Sequence, residues 1–510
     1  MYGITDEFPH YFPNYQEMNI DFSQLQMYRE GNRLEVKKAM GGLPVSLWET
    51  YSSFANTNGG IILLGVEELK DRSLKPLKLP DPEKMVRNFW TTINDPQKVS
   101  INILTDKDVE ILTSDAFQVI SIKIPRADRH DRPVYISPNP DRGSFRRNGE
   151  GDYHCTKNEI RNMFRDSSDE SMDKRILENL SIDTLDRETV GRYRNRFRSE
   201  RPDHVWINLT YENFLQSLGA VAEGSDGRLH PTAAGLLMFS QDWQITSEFS
   251  HYFLDYQEND GTNERWTDRF VSSSGDWSGN LHDFYYRVIN RLAQDVKIPF
   301  QLDETATRVD DTPVHKALRE ALANALSNAS YYERRGLVVK NRPGEITIEN
   351  PGGFRIPLAD AIRGGNSDPR NETLLKMFNL IGVGERAGSG IPNLYTVWRS
   401  QKWPEPLYTE QFGPDRTILQ LRINTVIDEN PSINPSINPS IKNHTPTAKE
   451  QTVLDIIAND PRITVSEIAE RLSIPRSTAS DRIQSLKRKE LVQRIGSNKN
   501  GYWELILAHS

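Results

Sequence analysis

Apolar residues recur along this chain at two different spacings, and the spacings predict different elements. Residues 60–67 form the apolar run GIILLGVE, which predicts a buried strand. Residues 118–125 alternate apolar and polar positions, as a half-buried strand does. The patterns over 46–56, 315–330 and 373–380 predict helices. We therefore predict a mixed fold that combines α/β and α+β parts in several domains.

The region 446–510 contains the elements of a small domain in a recognisable order. Helical patterns cover 447–459 and 464–472, and the second of these begins with a capping box. A turn, a third helix over 476–489 and a hairpin over 491–505 follow. Helix, helix, turn, helix and wing is the order of a winged helix-turn-helix domain, which we predict here.

Domain boundaries are best marked by a repeat of Asn-Pro-Ser-Ile, which occurs three times within 430–442. Proline at every fourth position blocks a helix and leaves an extended tether. A chain of 510 residues is long enough for about three or four domains. We predict a first domain over 1–165, a helical connector with a small mixed domain over 166–305, a third domain over 306–425, a linker over 426–445 and the winged helix over 446–510.

Composition narrows the functional classes. The net charge of −8 gives no overall attraction to nucleic acid, so any such binding depends on local basic patches. A single cysteine, Cys155, excludes an internal disulfide framework and a cysteine-rich zinc site. No apolar stretch is long enough to span a bilayer, and the first residues lack an apolar signal core. We expect a cytoplasmic protein with no membrane association.

Three carboxylates and a lysine are predicted to lie together in the first domain. Glu35 and Lys37 share one face of a strand, Glu30 precedes them across a turn, and Glu68 follows the strand at 60–67. Convergent carboxylates suit Mg²⁺ or Mn²⁺, and a neighbouring lysine stabilises charge on a scissile phosphate. The candidate catalytic set is Glu30, Glu35, Lys37 and Glu68, with Glu30, Glu35 and Glu68 as metal ligands. The alternative is that these are solvated charges at strand ends.

The same segments resemble the Schlafen AlbA_2 family of nucleic-acid-binding domains. The matching stretches are 35–37, 54–60 with 64–68, and the basic segment 144–149, SFRRNG. Schlafen nucleases cut RNA with two glutamates five residues apart and a later aspartate, and Glu30 and Glu35 fit that spacing. Glu68 stands where an aspartate is usual. The resemblance implies nucleic-acid binding, with Arg146 and Arg147 among the contacts, more firmly than it implies cleavage.

A second constellation resembles the ATP-binding domain shared by histidine kinases, gyrase and Hsp90, in a divergent form. The resemblance rests on a helix with glutamate and asparagine four residues apart, an Asn-Pro-Gly-Gly turn and a glycine-rich segment over 382–390. It implies an α/β sandwich in which the glutamate activates water, the asparagine holds Mg²⁺ and backbone N–H groups wrap the phosphates of ATP. Asn350 stands nearest the position where the family reads adenine with an aspartate. The alternative is a structural or dimerising domain. The nucleotide-binding set is Glu320, Asn324, Asn350, Gly352, Gly353, Gly384, Gly388 and Gly390.

The third helix of the winged domain carries arginines beside small and hydroxyl residues, which suit a close approach to the major groove. The wing is similar to the one that follows AlbA_2 and ATPase-like domains in bacterial RecG-related transcriptional regulators. The alternative is a winged helix used for protein contacts. The candidate contacts to nucleic acid are Arg476, Ser477, Thr478, Arg482, Lys487, Arg494 and Lys499.

Three functions remain open at this point. The first is a DNA-binding regulator whose state depends on nucleotide. The second is a metal-dependent nuclease that acts on RNA or DNA in defence or stress, and the third is a catalytically inactive assembly scaffold. We expect nucleic acid as the partner, DNA before RNA, and a homo-oligomer, most simply a dimer, because helix-turn-helix proteins commonly act as dimers.

Overall fold

The computed structural model falls into two compact units, residues 1–426 and 427–510. The predicted Asn-Pro-Ser-Ile linker and Lys499 lie outside the described residues. Within the described part of the chain, no helix is both long and apolar enough to cross a bilayer. The structure describes residues 20–505 except 115–116, 260, 262–265, 296–311, 385–387, 414, 424–447, 461–462, 473, 489–490 and 496–501.

The first domain is built on a four-stranded sheet with strand order β1-β2-β6-β5. β1 runs parallel to β2, and β6 runs antiparallel to both β2 and β5. The strand predicted over 60–67 is two strands, because Gly65 has a φ of +87° and turns the chain between them. The strands are β1 (Leu34–Lys37), β2 (Gly60–Leu64), β3 (Val66–Glu68), β4 (Leu74–Pro76), β5 (Val109–Ser114), β6 (Phe117–Ile124), β7 (Phe145–Asn148) and β8 (Gly151–His154); the helices are α1 (Ser46–Asn56), α2 (Pro82–Ile93), α3 (Pro140–Gly143) and α4 (Lys157–Asp166).

Both faces of this sheet are covered, which explains why every residue of β2 is buried. Ile62 and Leu64 pack with α1 and α2, whereas Ile61 and Leu63 pack on the opposite face with Leu25 of the 3-10 helix Phe22–Met27. Successive side chains of a strand point to opposite faces, so a continuous apolar run is needed when both are covered. Full burial of each of these side chains stabilises the domain by about 1.5–3 kcal/mol.

The regions predicted as separate domains over 166–305 and 306–425 form one body, which corrects that boundary. Their sheet has strand order β12-β11-β13-β14-β16-β15, and β11 lies parallel to β13. One hydrophobic core extends from Leu177 to Ile423. The strands are β9 (Val221–Glu223), β10 (Leu229–Pro231), β11 (Leu254–Glu258), β12 (Asp268–Val271), β13 (Leu337–Arg342), β14 (Glu345–Pro351), β15 (Leu407–Gln411) and β16 (Arg416–Arg422).

Helices cover this sheet, and the longest of them, α10, carries part of the predicted nucleotide site. Thr312 caps α10 by accepting a hydrogen bond from the His315 N–H, and Pro313 occupies its first turn. At the start of the region predicted as a helical connector with a small mixed domain, residues 167–203 are helical only in two short 3-10 turns and in α5. The helices are α5 (Arg187–Glu200), α6 (Tyr211–Leu218), α7 (Ala233–Phe239), α8 (Asp242–Glu248), α9 (Leu281–Asp295), α10 (Pro313–Asn328), α11 (Leu358–Arg363), α12 (Glu372–Leu380) and α13 (Gly390–Ser400).

The second unit has the predicted order of three helices and a hairpin. Thr464 and Glu467 form the predicted capping box at the start of α15. Trp503, in the second strand of the wing hairpin, is buried, and its indole N–H donates to the carbonyl of Ile463 at 3.0 Å. The elements are α14 (Ala448–Asn459), α15 (Val465–Arg471), α16 (Arg476–Arg488), β17 (Val492–Ile495) and β18 (Tyr502–Leu505).

Candidate nucleic-acid and nucleotide sites

Glu35 of β1 lies between two cations. Its Oε1 is 2.6 Å from Lys37 Nζ, in agreement with their predicted common face, and its Oε2 is 2.8 Å from Arg147 Nη2. Arg147 also pairs with Asp152 at 3.0 Å and donates to the carbonyl of Gly31. Its guanidinium therefore bridges two carboxylates inside the domain and ties β7 to β1.

The prediction that Arg147 contacts nucleic acid is wrong, because its side chain is only 1% exposed and its donors are matched within the domain. Arg146, on the other face of β7, is 24% exposed, and its Nε is 3.0 Å from Glu159 Oε1. Successive side chains of a strand point to opposite faces, so the basic segment 144–149 places Arg147 in the interior and Arg146 on the opposite face.

Glu30 and Glu68 complete the predicted carboxylate set. Glu30 Oε1 accepts a hydrogen bond from the Val36 N–H at 2.8 Å. Burial raises the pKa of Glu30, the Val36 hydrogen bond opposes this shift, and the charges of Glu35 and Glu68 raise the pKa further. Glu30 is therefore close enough to Glu35 and Glu68 for both charges to act on it. Glu68 Oε1 is buried and 3.6 Å from Arg72 Nε, without a hydrogen bond in the described structure.

These carboxylates do not fit a divalent cation in the observed arrangement. Both oxygens of Glu35 are occupied by Lys37 and Arg147, and Glu30 is engaged with the backbone. Across the residues that the structure describes, no group of three or more His, Cys, Asp or Glu side chains is placed to hold a metal ion. Cleavage with Mg²⁺ or Mn²⁺ remains a prediction without a formed metal site.

Exposed cations surround the carboxylates and were missed by the sequence analysis. Lys38 follows β1 and pairs with Glu67 at 2.6 Å. Arg72, in the exposed turn between β3 and β4, pairs with Glu68 and Glu150. The sequence pattern that could have indicated these cations is the pair of basic residues Lys70 and Arg72, which follow Glu67 and Glu68 in a short hairpin. Lys38 and Arg72 are thus exposed cations of this domain, each paired with a carboxylate.

A cavity lies between α10, the end of β14 and the segment 353–369, which contains α11. We call it the α10 cavity. Its enclosed part offers about 120 Å³ to the centre of a water-sized sphere, and the cavity continues into open solvent. Asn350 is the most informative lining residue: it is 7% exposed, and no hydrogen bond to its side-chain amide occurs among the described residues. The predicted residues that line the cavity are Asn324, Asn350, Gly353, Gly388 and Gly390.

The remaining predicted nucleotide residues lie next to the cavity or away from it. Glu320 is buried on α10, and a Cβ placed on Gly390 would lie 2.6 Å from both Glu320 Oε1 and Asn324 Nδ2. Only glycine therefore permits this close approach of α13 to α10. Gly352 packs against Arg370, and Gly384 lies near Asn379, so neither lines the cavity.

The first domain reaches the wall of the α10 cavity through arginines after β6. Arg129 Nε donates to Asp368 Oδ2 at 2.5 Å, and Asp368 lines the cavity. Arg126 pairs with Glu410 at 2.6 Å, and Glu410 accepts a hydrogen bond from the Phe354 N–H at 2.7 Å. The two arginine contacts join residues more than 200 positions apart, so no local pattern predicted them.

In the winged unit, α16 buries Ala479, Ile483 and Leu486, which leaves its opposite face for a ligand. Arg476 is exposed at the helix start, Thr478 and Arg482 are half-buried, and Lys487 Nζ lies 5.1 Å from the centre of the Trp503 ring. The structure does not describe the side chains of Ser477 and Arg494, or any part of Lys499.

Four family models match separate parts of the chain, and together they show its domain composition. The chain carries a Schlafen AlbA_2 domain, a recG-type C-terminal domain of the ATPase-like class and a winged helix-turn-helix domain, in agreement with the predicted resemblances and fold class. These domains indicate a DNA-binding protein. The models are "Schlafen, AlbA_2" over 30–156, "Domain of unknown function (DUF8451)" over 161–255, "Putative ATP-dependent DNA helicase recG C-terminal" over 338–416 and "Winged helix-turn-helix DNA-binding" over 447–493.

Two solved structures are similar to parts or most of the chain. The DIP2311 protein from Corynebacterium diphtheriae is 17% identical, covers 93% of this chain and 92% of its own, and has a TM-score of 0.39. The N-terminal domain of a "Putative ATP-dependent DNA Helicase RecG-related Protein" from Nitrosomonas europaea is 23% identical and covers 24% of this chain and 82% of its own, with a TM-score of 0.19. No curated protein matches the chain.

Proposed function

We propose that this protein is a DNA-binding regulator controlled by a nucleotide in the α10 cavity. The observation that carries the proposal is the double role of Asp368, which lines the cavity and also binds Arg129 of the AlbA_2 domain. A ligand that changes the wall of the cavity thus acts on the contact with a nucleic-acid-binding domain. Allosteric control requires such a shared element with different contacts in two states.

DNA recognition in this proposal begins with α16, which enters the major groove as the recognition helix of the winged domain. Arg476 at its exposed start contacts a phosphate or a base edge. Lys38 and Arg72 of the AlbA_2 domain provide a second contact with the phosphate backbone. Two contacts from one chain raise the affinity through effective concentration, without any new interface.

The nucleotide in this proposal is a purine nucleotide, with ATP as the first candidate. The amide of Asn350 lines the cavity and offers a donor and an acceptor for the edge of a base. The glycines at 353, 388 and 390 allow close approach of the backbone to phosphates. Regulation of this kind requires binding and does not require hydrolysis.

The test measures DNA affinity of the full chain with and without ATP. A fluorescent duplex, selected from a random pool on the protein, is titrated by anisotropy, and Asn350→Leu fills the cavity with an apolar side chain. We expect ATP to change the DNA Kd of the wild-type protein by about fivefold or more and to leave the variant unchanged. Inorganic triphosphate controls for ionic strength. If ATP does not change the DNA Kd of the wild-type protein, the proposed control by nucleotide is wrong. If the protein does not bind DNA, the proposed role as a DNA-binding regulator is wrong.

A metal-dependent nuclease is the second candidate, and the charges of Glu35 and Glu68 that both act on Glu30 favour it. It requires Glu35 to leave Arg147, because that pair occupies one oxygen of the carboxylate. Incubation with Mn²⁺ or Mg²⁺ and structured RNA or duplex DNA tests the idea, beside Glu30→Gln. Cleavage that the variant abolishes supports a nuclease. If the protein neither cleaves nor binds nucleic acid, the assembly scaffold is the remaining hypothesis. Analytical ultracentrifugation tests the predicted dimer.

A further inference from the structure

Arg355 lies where the wall of the α10 cavity meets the AlbA_2 domain. Its side chain is 8% exposed, and it lines the cavity. Nη1 donates to the carbonyl of Pro369 at 3.0 Å, and Nη2 reaches the carbonyl of Asp166 only at 3.5 Å. Nε is buried without a hydrogen-bond acceptor in the described structure. A guanidinium has five N–H donors, so Arg355 retains donors that the protein does not match.

The charges around Arg355 are also unbalanced. Arg370 pairs with Asp166, and Arg129 pairs with Asp368 at 2.5 Å. Asp368 is 3.5 Å from Arg355 Nη2, which is too long for a good hydrogen bond. Both carboxylates therefore have a closer partner, and three guanidinium groups share two negative charges. Arg355 is the cation with the weakest pairing.

The energetic consequence appears in the pKa of Arg355. Burial lowers this pKa, the charge of Asp368 opposes the shift, and the charges of Arg129 and Arg370 add to it. A lowered arginine pKa means that the surroundings disfavour its positive charge. An anion placed beside the guanidinium would relieve that deficit. Arg355 lines the α10 cavity and also a smaller pocket beside Asp166 and Arg370, and the α10 cavity is the one that also holds Asn350.

We propose that Arg355 forms an anion subsite of the α10 cavity and binds a phosphate group of the ligand there. The planar guanidinium matches a phosphate with two parallel hydrogen bonds, which a lysine does not offer. The inference rests on the proposed function, because it assigns the phosphate end of the nucleotide whose base meets Asn350. It adds a residue that none of the predicted motifs contains.

The experiment titrates three probes into the full chain by calorimetry: ATP, adenosine and inorganic triphosphate. The variants are Arg355→Gln, which removes the charge, and Arg355→Lys, which keeps it without the planar fork. Arg363→Gln is the matched control, because Arg363 is an exposed arginine on nearby α11 that pairs with Asp360. Asp368→Asn is the opposing variant, because it removes the carboxylate that competes for Arg355. Thermal unfolding of each variant establishes that it is folded.

We expect the wild-type protein to bind ATP at least about tenfold more tightly than adenosine. Arg355→Gln should remove this preference and leave adenosine unchanged, Arg355→Lys should recover part of it, and Asp368→Asn should increase it. A structural role alone predicts that the Arg355 and Asp368 variants weaken ATP and adenosine equally, which would overturn the proposal. If Arg355→Gln does not fold, an Asp368→Asn preference at or below that of the wild type overturns it.

The probes separate this inference from the proposed function. Equal wild-type affinities for ATP and adenosine would overturn the phosphate subsite and leave the nucleotide cavity standing. Binding of inorganic triphosphate that depends on Arg355, without any effect of the adenine, would support the subsite and overturn the nucleotide proposal. A wild-type protein that binds none of the three probes would overturn both.

Discussion

Arg147 donates a hydrogen bond to Glu35 at 2.8 Å, and the two residues are 112 positions apart. The side chains are 1% and 11% exposed, so the pair is shielded from water. Glu35 is one of the three predicted metal ligands, yet the groups that contact its carboxylate are an arginine and a lysine. The pair holds β7 against β1. A substitution of Glu35 is therefore expected to change the stability of the domain as well as any activity.

Removal of the Glu35 carboxylate should destabilise the AlbA_2 domain. Glu35→Ala leaves the buried guanidinium of Arg147 with one carboxylate fewer, and we expect a loss of about 3 kcal/mol in the free energy of unfolding. Chemical denaturation monitored by tryptophan fluorescence measures this loss. Glu67→Ala is the control, because Glu67 pairs with exposed Lys38 and its removal should change little. Equal stability of Glu35→Ala and the wild type would show that the pair is not needed.

Stability should fall as the pH rises through the titration of Glu333. The pKa of Glu333 is raised to about 7, first by burial and then by the charge of Asp415, while Arg370 and Arg165 oppose the shift. The folded state therefore binds a proton that the unfolded state releases between the ordinary pKa of about 4.5 and about 7. The stabilisation is fully present below this window and is lost as the pH rises through it.

We thus expect the unfolding temperature to fall between pH 5 and pH 8, and Glu333→Gln to make this dependence weaker. The amide of Asn162 donates to Glu333, and a glutamine oxygen at 333 still accepts that bond. Differential scanning fluorimetry over this range measures the slope. Glu372→Gln, at an exposed pair with Lys174, is the control with an unchanged slope. A Glu333→Gln profile parallel to that of the wild type would refute the assignment.

Gly390→Ala should weaken nucleotide binding more than it weakens the fold. The added Cβ would lie 2.6 Å from Glu320 Oε1 and Asn324 Nδ2, so both side-chain ends must move, and Asn324 lines the α10 cavity. We expect about a tenfold loss in ATP affinity, measured by calorimetry. Gly191→Ala provides a contrast, since no atom lies within 4 Å of a Cβ on this helical glycine. It should stabilise α5 by about 0.5–1 kcal/mol without an effect on ATP.

Arg476→Ala should reduce the salt dependence of DNA binding. Loss of one phosphate contact releases about one counterion fewer, so the slope of log K against log salt should fall by about 0.9. Anisotropy titrations at several salt concentrations give the slope. Arg471→Ala serves as the comparison, because Arg471 is an arginine of α15 that pairs with Asp460. An unchanged slope for Arg476→Ala would place the DNA contact elsewhere on the winged unit.

Local sequence patterns predicted the elements that depend on neighbouring residues. Helix α1 begins and ends at the predicted residues, and the capping box of Thr464 and Glu467 is present. The same holds for the hairpin of β17 and β18, whose strands follow the predicted order. Each of these features is decided by residues that are close in sequence, which explains their agreement with the pattern.

Features that depend on distant partners were not predictable in this way. The burial of Arg147 follows from its contact with Glu35, and the anion subsite at Arg355 follows from the positions of Asp166 and Asp368. The predicted boundary near residue 305 failed for the same reason, because β11 pairs with β13 across it. The resemblance grouped Asn324 and Asn350 with six other residues, and of the glycines among them only Gly353, Gly388 and Gly390 line the cavity. It gave no information on the arginines that border the cavity.

The pairing of β11 with β13 imposes an order of events on synthesis at the ribosome. β11 (Leu254–Glu258) emerges well before β13 (Leu337–Arg342), which occupies its parallel edge. Until then the edge of β11 has open backbone donors and acceptors, a state that favours aggregation with other nascent chains. A truncated product that stops between these strands would keep that edge permanently. The central body of this protein is therefore expected to depend on chaperones during translation and to resist division into smaller expression fragments.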